Sequence, residues 1–127
     1  MNNSCLILMA HGSRHPQWSQ PFKTLLRKLR DDCGEDAAHL AYMENAHPLL
    51  AEVIKEAVAK GFTRFHILPL LMSSGVHMAK DIPAQAAQLS QQYPGVSIKI
   101  LPPIGSHPSF ADLLLRVVKE SIPAPAV

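Results

Sequence analysis

With 127 residues the chain has room for one ordinary domain and not for two. Its 47% hydrophobic and 17% charged residues suit a core-forming fold rather than a disordered one. A formal net charge of +2, with no Lys/Arg block, excludes nucleic acid as a partner, and the apolar run Cys5 to Ala10 is too short for a membrane span or a secretory core.

A cytoplasmic protein without membrane contact is therefore expected. Cys5 and Cys33 form neither a C-x-x-C motif nor a zinc knuckle, and both are expected to be buried free thiols.

Four short apolar runs alternate with four segments of helical period, the pattern of a parallel sheet with helices on its faces. Cys5–Met9 is uniformly apolar, as a central strand buried on both sides would be, and ends at His11-Gly12. Pro16 suits a first helical turn, and Trp18, Phe22, Leu25, Leu26 and Leu29 follow at spacings of three and four.

His39–Met43 reads as a second strand leading through Glu44, Asn45 and His47 to a helix marked by Leu50, Val53, Ile54, Ala57 and Val58, stopped at Gly61. Phe65–Leu71 reads as a third strand, with Pro69 at or near its end or at a bulge. After Ser73, Ser74, Gly75 and His77, the cap Asp81 before Pro83 predicts the start of a third helix, with Ile82, Ala86 and Leu89 as its apolar stripe and Tyr93-Pro94-Gly95 as its end.

Ser97–Ile100 alternates like an edge strand, and Phe110, Leu113, Leu114, Val117 and Val118 mark a fourth helix. The reading is one α/β domain over 1–122, with a frayed Pro-rich tail over 123–127. Its sheet is four-stranded, parallel and doubly wound, a flavodoxin-like unit with strand order 2-1-3-4.

Parallel βα units put every strand-to-helix loop at one sheet edge, where open α/β folds bind ligands. Five of the seven histidines fall in those loops: His11 and His15 in the first, His47 in the second, His77 in the third and His107 in the fourth. In the order 2-1-3-4, the strands that deliver His11 and His77 flank the topological switch. Two imidazoles with a carboxylate such as Glu44 suit borderline divalent metals.

Other roles stay open at this point. His15, His47 and His107 each precede a proline at a helix start and can simply cap it. Arg14 and Lys80 are either solvated charges or attractors of an acidic ligand. Gly12, Gly75 and Gly105 serve either as turn residues or as openings for a flat ligand. His39 and His66 fall inside strands and are expected to be structural, and Leu71, Met72, Val76 and Met78 to be core.

Taken together, His11-Gly12-Ser13-Arg14, the run Pro69-Leu70-Leu71-Met72-Ser73-Ser74-Gly75-Val76-His77 and Asp81-Ile82-Pro83 resemble the CbiX/SirB family of sirohydrochlorin chelatases. Glu44 ahead of Pro48, and Pro102-Pro103-Ile104-Gly105 before His107-Pro108, extend the likeness over nearly the whole chain. The resemblance implies a chelatase-type α/β fold that inserts cobalt or iron into the tetrapyrrole sirohydrochlorin without ATP, on the route to cobalamin or sirohaem; nickel is a further candidate among the borderline metals. The sequence has no G-x-x-x-x-G-K-[ST] phosphate loop.

The resemblance also implies the short, single-unit form, working as a homodimer whose ligand edge faces its partner. It makes His11 and His77 the metal-handling histidines and Glu44 a nearby carboxylate, all three catalytic. The metal is then a substrate and no cofactor is required. His15, where many relatives carry an acidic residue, departs from the pattern.

Metalation removes two pyrrole N–H protons while the metal exchanges water for ring nitrogens, so metal ligands and proton acceptors are both needed, and neutral imidazole serves either purpose. Ser13, Arg14, Ser73, Gly75 and Lys80 are the residues expected to hold the carboxylate-rich ring. The rival readings are a non-catalytic metal carrier or tetrapyrrole-binding protein, and a phosphohistidine enzyme. The last is disfavoured because Ala10, not arginine, precedes His11.

Overall fold

A computed structural model of the chain describes residues 3–73 and 75–124, without the side chains of residues 76–78. Ser74 and the end of the expected tail, 125–127, lie outside the described residues.

Strands β1 (Ser4–Ala10), β2 (Ala38–Tyr42), β3 (Arg64–Pro69) and β4 (Ser97–Ile100) form one sheet in the order β2-β1-β3-β4. Every pairing is parallel, with Leu8 opposite Leu40 on one side and Leu68 on the other. The uniformly apolar β1 lies in the middle because both of its faces are covered. Pro69 ends β3, where its missing N–H costs the ladder nothing.

Helices α2 (Leu50–Ala59) and α3 (Val76–Gln92) cover one face, enclosing Ile7, Ile54, Phe65, Ile67, Ile82 and Leu89. Helix α1 (Gln20–Cys33), entered through a 3-10 turn at Pro16–Ser19, lies on the other, with Trp18, Phe22, Leu26 and Leu29 against Leu8, Leu40 and Tyr42. A further 3-10 turn, Ile104–Ser106, leads to α4 (Pro108–Ser121).

Four expectations need correction. Helix α3 begins at Val76 rather than at Asp81, so His77 and Lys80 belong to its opening turns and Pro83 to its interior. Pro83 forgoes only the bond to the Ala79 carbonyl, a cost of about 3 kcal/mol in a helix interior. Burial of Ile82, Ala86 and Leu89 offsets it.

Cys33, the last residue of α1, is exposed, whereas Cys5 is buried in β1. Met72 is 65% exposed rather than core, since β3 has ended and the chain is crossing the sheet edge. Finally, α4 packs on no strand to any appreciable extent and leaves its apolar residues bare.

Candidate functional site

The site begins where β1 ends. His11 is exposed, and Gly12 turns the chain with φ +104°, a conformation that side chains resist. Beyond β2 the ladder continues irregularly: the Met43 N–H donates to the Ala10 carbonyl (2.9 Å) and the Glu44 N–H to the His11 carbonyl (3.1 Å). A Cβ on Gly12 would overlap the Glu44 carbonyl oxygen. Two loops separated by more than thirty residues are thereby locked together, with His11 and Glu44 as backbone neighbours.

The other two loops are joined in the same way. The Leu101 N–H donates to the Ile67 carbonyl (2.8 Å) and the Gly105 N–H to that of Leu71 (2.9 Å), while the Leu70 N–H donates to the Met9 carbonyl of β1 (2.8 Å). Gly105 sits so tightly on Met72 that a Cβ would overlap the Met72 backbone. The chain then exposes Met72 and Ser73 and enters α3 through Gly75, the N-cap residue.

His77 is therefore the second residue of α3, at the same sheet edge, and Lys80 follows one turn on, exposed. The unpaired N–H groups and partial positive charge of a helix N-terminus suit an anionic ligand such as a carboxylate. The side chain of His77 is outside the described residues. Among the described residues, no group of three His, Cys, Asp or Glu side chains lies close enough to hold a metal ion.

Ser13 and Arg14 stand beside His11; the Ser13 Oγ accepts from the His15 N–H (3.1 Å), and Arg14 is exposed. The three pre-proline histidines diverge. The His107 Nδ1 accepts from the Ser109 N–H (3.1 Å) and caps α4 as expected. His15 precedes its 3-10 turn without a side-chain cap bond.

His47 is no cap either, because α2 starts after Leu49 and the Glu52 carboxylate takes the capping role. Glu52 accepts from the Leu49 N–H (3.0 Å) and pairs with the His47 Nδ1 (2.6 Å). Together they hold its carboxyl below the usual range, the backbone bond contributing most.

His39 is structural: its Nε2 donates to the Asp36 carbonyl (3.0 Å), leaving Nδ1 to accept from Arg30 (3.3 Å). Burial pushes its pKa down. Gly12 and Gly105 are fold glycines that let loops touch, whereas Gly75 has open space where a Cβ would stand. The clasps through Glu44 and Gly105 were missing from the sequence reading, and the isolated glycines were their only signal.

Comparisons with known proteins agree with this architecture. A sirohydrochlorin cobaltochelatase of Sulfurisphaera tokodaii is 30% identical over 118 residues, covering 91% of this chain and 91% of that protein. A chloroplastic sirohydrochlorin ferrochelatase of Arabidopsis thaliana is 28% identical over 117 residues, and there the chain spans about half of the relative's length, 50%.

Among solved structures, a CbiX protein from Marinobacter aquaeolei superposes with a TM-score of 0.83 at 34% identity, over 92% of this chain and 95% of that one. SirB from Bacillus subtilis, solved with cobalt, shares the fold at a TM-score of 0.80 and 22% identity, over 95% of this chain and 51% of that one. The CbiX family model matches residues 5–121, and the chain belongs to the CbiX family.

Proposed function

We propose that this chain is a sirohydrochlorin chelatase that inserts a divalent first-row metal into the tetrapyrrole without ATP, with cobalt the preferred ion and iron the second. The observation that carries the reading is the loop clasp that makes Glu44 the backbone neighbour of His11 at the edge where α3 begins with His77. The names of the relatives, a cobaltochelatase and a ferrochelatase at similar identity, support the substrate and both metals.

In the proposed reaction the free-base ring gives up its two pyrrole protons and takes in one M²⁺, so charge and atoms balance with two protons released. His11 and His77 hold the incoming ion or accept those protons, and Glu44 assists as base or charge partner. Ligands carried on separate segments of the chain, with His11 and Glu44 exposed, suit a substrate metal, since a closed cage would compete with the ring for it. Ser13, Arg14, Ser73, Lys80 and the α3 N-terminus orient the ring carboxylates, while Gly75 leaves room for its flat face.

Two imidazoles and a carboxylate impose little geometric selection, so more than one metal should be accepted. The test is to mix purified protein with excess sirohydrochlorin and cobalt, iron or nickel in turn and follow the absorption change against a protein-free control. Many rings metalated per chain is the expected result. Insertion no faster than the control, or one stoichiometric equivalent only, contradicts it and leaves a carrier.

A further inference from the structure

Of the large apolar side chains left exposed among the described residues, Leu25 lies on α1 and all others but one lie on α4 or just beyond it. The exception is Met72. At 65% it is the most exposed of them, and it stands at the sheet edge where the strand-to-helix loops converge. Exposure alone says little, since single apolar residues are common on protein surfaces. The way Met72 is held says more.

Its backbone is pinned from the loop after β4. The Leu71 carbonyl accepts from the Gly105 N–H (2.9 Å), and a Cβ on Gly105 would come within 2.1 Å of the Met72 carbonyl oxygen and 2.4 Å of its Cα. The β1–β3 register places it beside the proposed site. Met9 stands opposite Pro69, and His11 lies two residues past that pair on one segment while Met72 lies three past it on the other. Gly75, the N-cap residue of α3, follows three residues later. Met72 therefore sits on the segment that joins β3 to the helix of His77, next to the segment that carries His11.

We propose that Met72 is a substrate-positioning contact, packing its side chain against the apolar face of the tetrapyrrole while the polar groups of the edge take the peripheral carboxylates. The inference rests on the chelatase reading and adds the residue that meets the flat face of the ring. A conjugated macrocycle is charged at its rim and apolar on its faces, so groups that bind carboxylates fix the rim but not the height of the plane. A thioether suits the face, being unbranched, polarisable and favourable in contact with aromatic systems. Because its backbone is pinned, Met72 gives the ring a fixed stop.

The test is the binding of metal-free sirohydrochlorin, followed by the fluorescence anisotropy of the ring, to wild type, Met72→Gln and Met72→Leu. Glutamine is similar in length but polar, and should raise Kd about tenfold, the scale of one apolar side chain buried on binding. In cobalt insertion it should raise KM for the ring by a similar factor while kcat stays within about twofold. Leucine restores the apolar bulk and should bind within about threefold of wild type. Both variants should keep the melting temperature and the light-scattering mass of wild type. Wild-type binding by Met72→Gln, equal impairment in Met72→Leu, or a changed mass in Met72→Gln, which would mean that a protein surface covers the side chain, would overturn the proposal. A wild type that binds no ring would overturn the chelatase reading itself, and this contact with it.

Discussion

The Glu44 N–H donates to the His11 carbonyl across 3.1 Å, and Gly12 lies so close to the Glu44 carbonyl that no side chain fits between them. This contact carries the β1–β2 pairing past the strand ends and fixes the relative position of two residues at the proposed site.

Gly12→Ala tests the clasp. Alanine meets both a strained φ and the Glu44 carbonyl, and strain of that kind costs about 1–3 kcal/mol. Urea unfolding should show a loss in that range, and metal insertion should fall more than tenfold because Glu44 is displaced. Unchanged stability and rate would mean that the two loops are not held together in solution.

Gly105→Ala acts on the other pair of loops, pushing Met72 outward and shifting the entry to α3. Activity should fall by an order of magnitude or more. Gly75→Ala is the counterpart: nothing crowds its Cβ and its φ of −70° is ordinary, so stability should change by less than about 1 kcal/mol. If the ring lies over Gly75, that variant should raise KM for sirohydrochlorin while thermal melting stays near wild type.

His39 ties stability to mild acid. Burial lowers its folded pKa below the ordinary 6.5, so on acidification the unfolded chain takes up a proton first. The stabilisation is complete above pH 6.5 and is lost as pH falls from there through the lower folded pKa. His39→Gln should flatten the dependence of unfolding free energy on pH in that window, cost on the order of 1 kcal/mol at neutral pH, and leave metal insertion intact.

Cys5 gives the corresponding effect in alkali. Burial pushes its thiol from 9.0 up to about 12, so the unfolded chain ionises first. Its contribution to stability is present below pH 9 and is lost as pH rises towards 12, a loss that Cys5→Ala should remove. In a Cys33→Ser protein, a thiol reagent at pH 8 should find no reactive group until the chain is unfolded.

The sheet was legible because its strands are short apolar runs separated by helical periods, and of the places open to Pro69, a strand end or a bulge, it takes the end. The start of α3 was not, since Asp81-Ile82-Pro83 imitates a cap followed by a first turn, whereas Gly75, the true N-cap residue, has no side chain to signal with. His107 and His47 look alike before proline, yet Glu52 caps α2 in place of His47, a competition set three residues into the helix. Periodicity marked the apolar side of α4 but carries no information about what covers it. For His11, Glu44 and the N-terminus of α3, the common edge follows from topology, while the clasp that makes Glu44 a neighbour of His11 is a long-range contact that local patterns do not encode.

The most direct test of the central claim is the rate of cobalt insertion into sirohydrochlorin by His11→Ala and His77→Ala, measured beside circular dichroism and thermal melting of the same preparations. Residues at strand and helix ends on the ligand edge of the sheet contribute little to the core, so both variants should melt within a few degrees of wild type. Insertion should nevertheless fall at least a hundredfold in each. Two folded variants that metalate the ring at the wild-type rate would contradict the account.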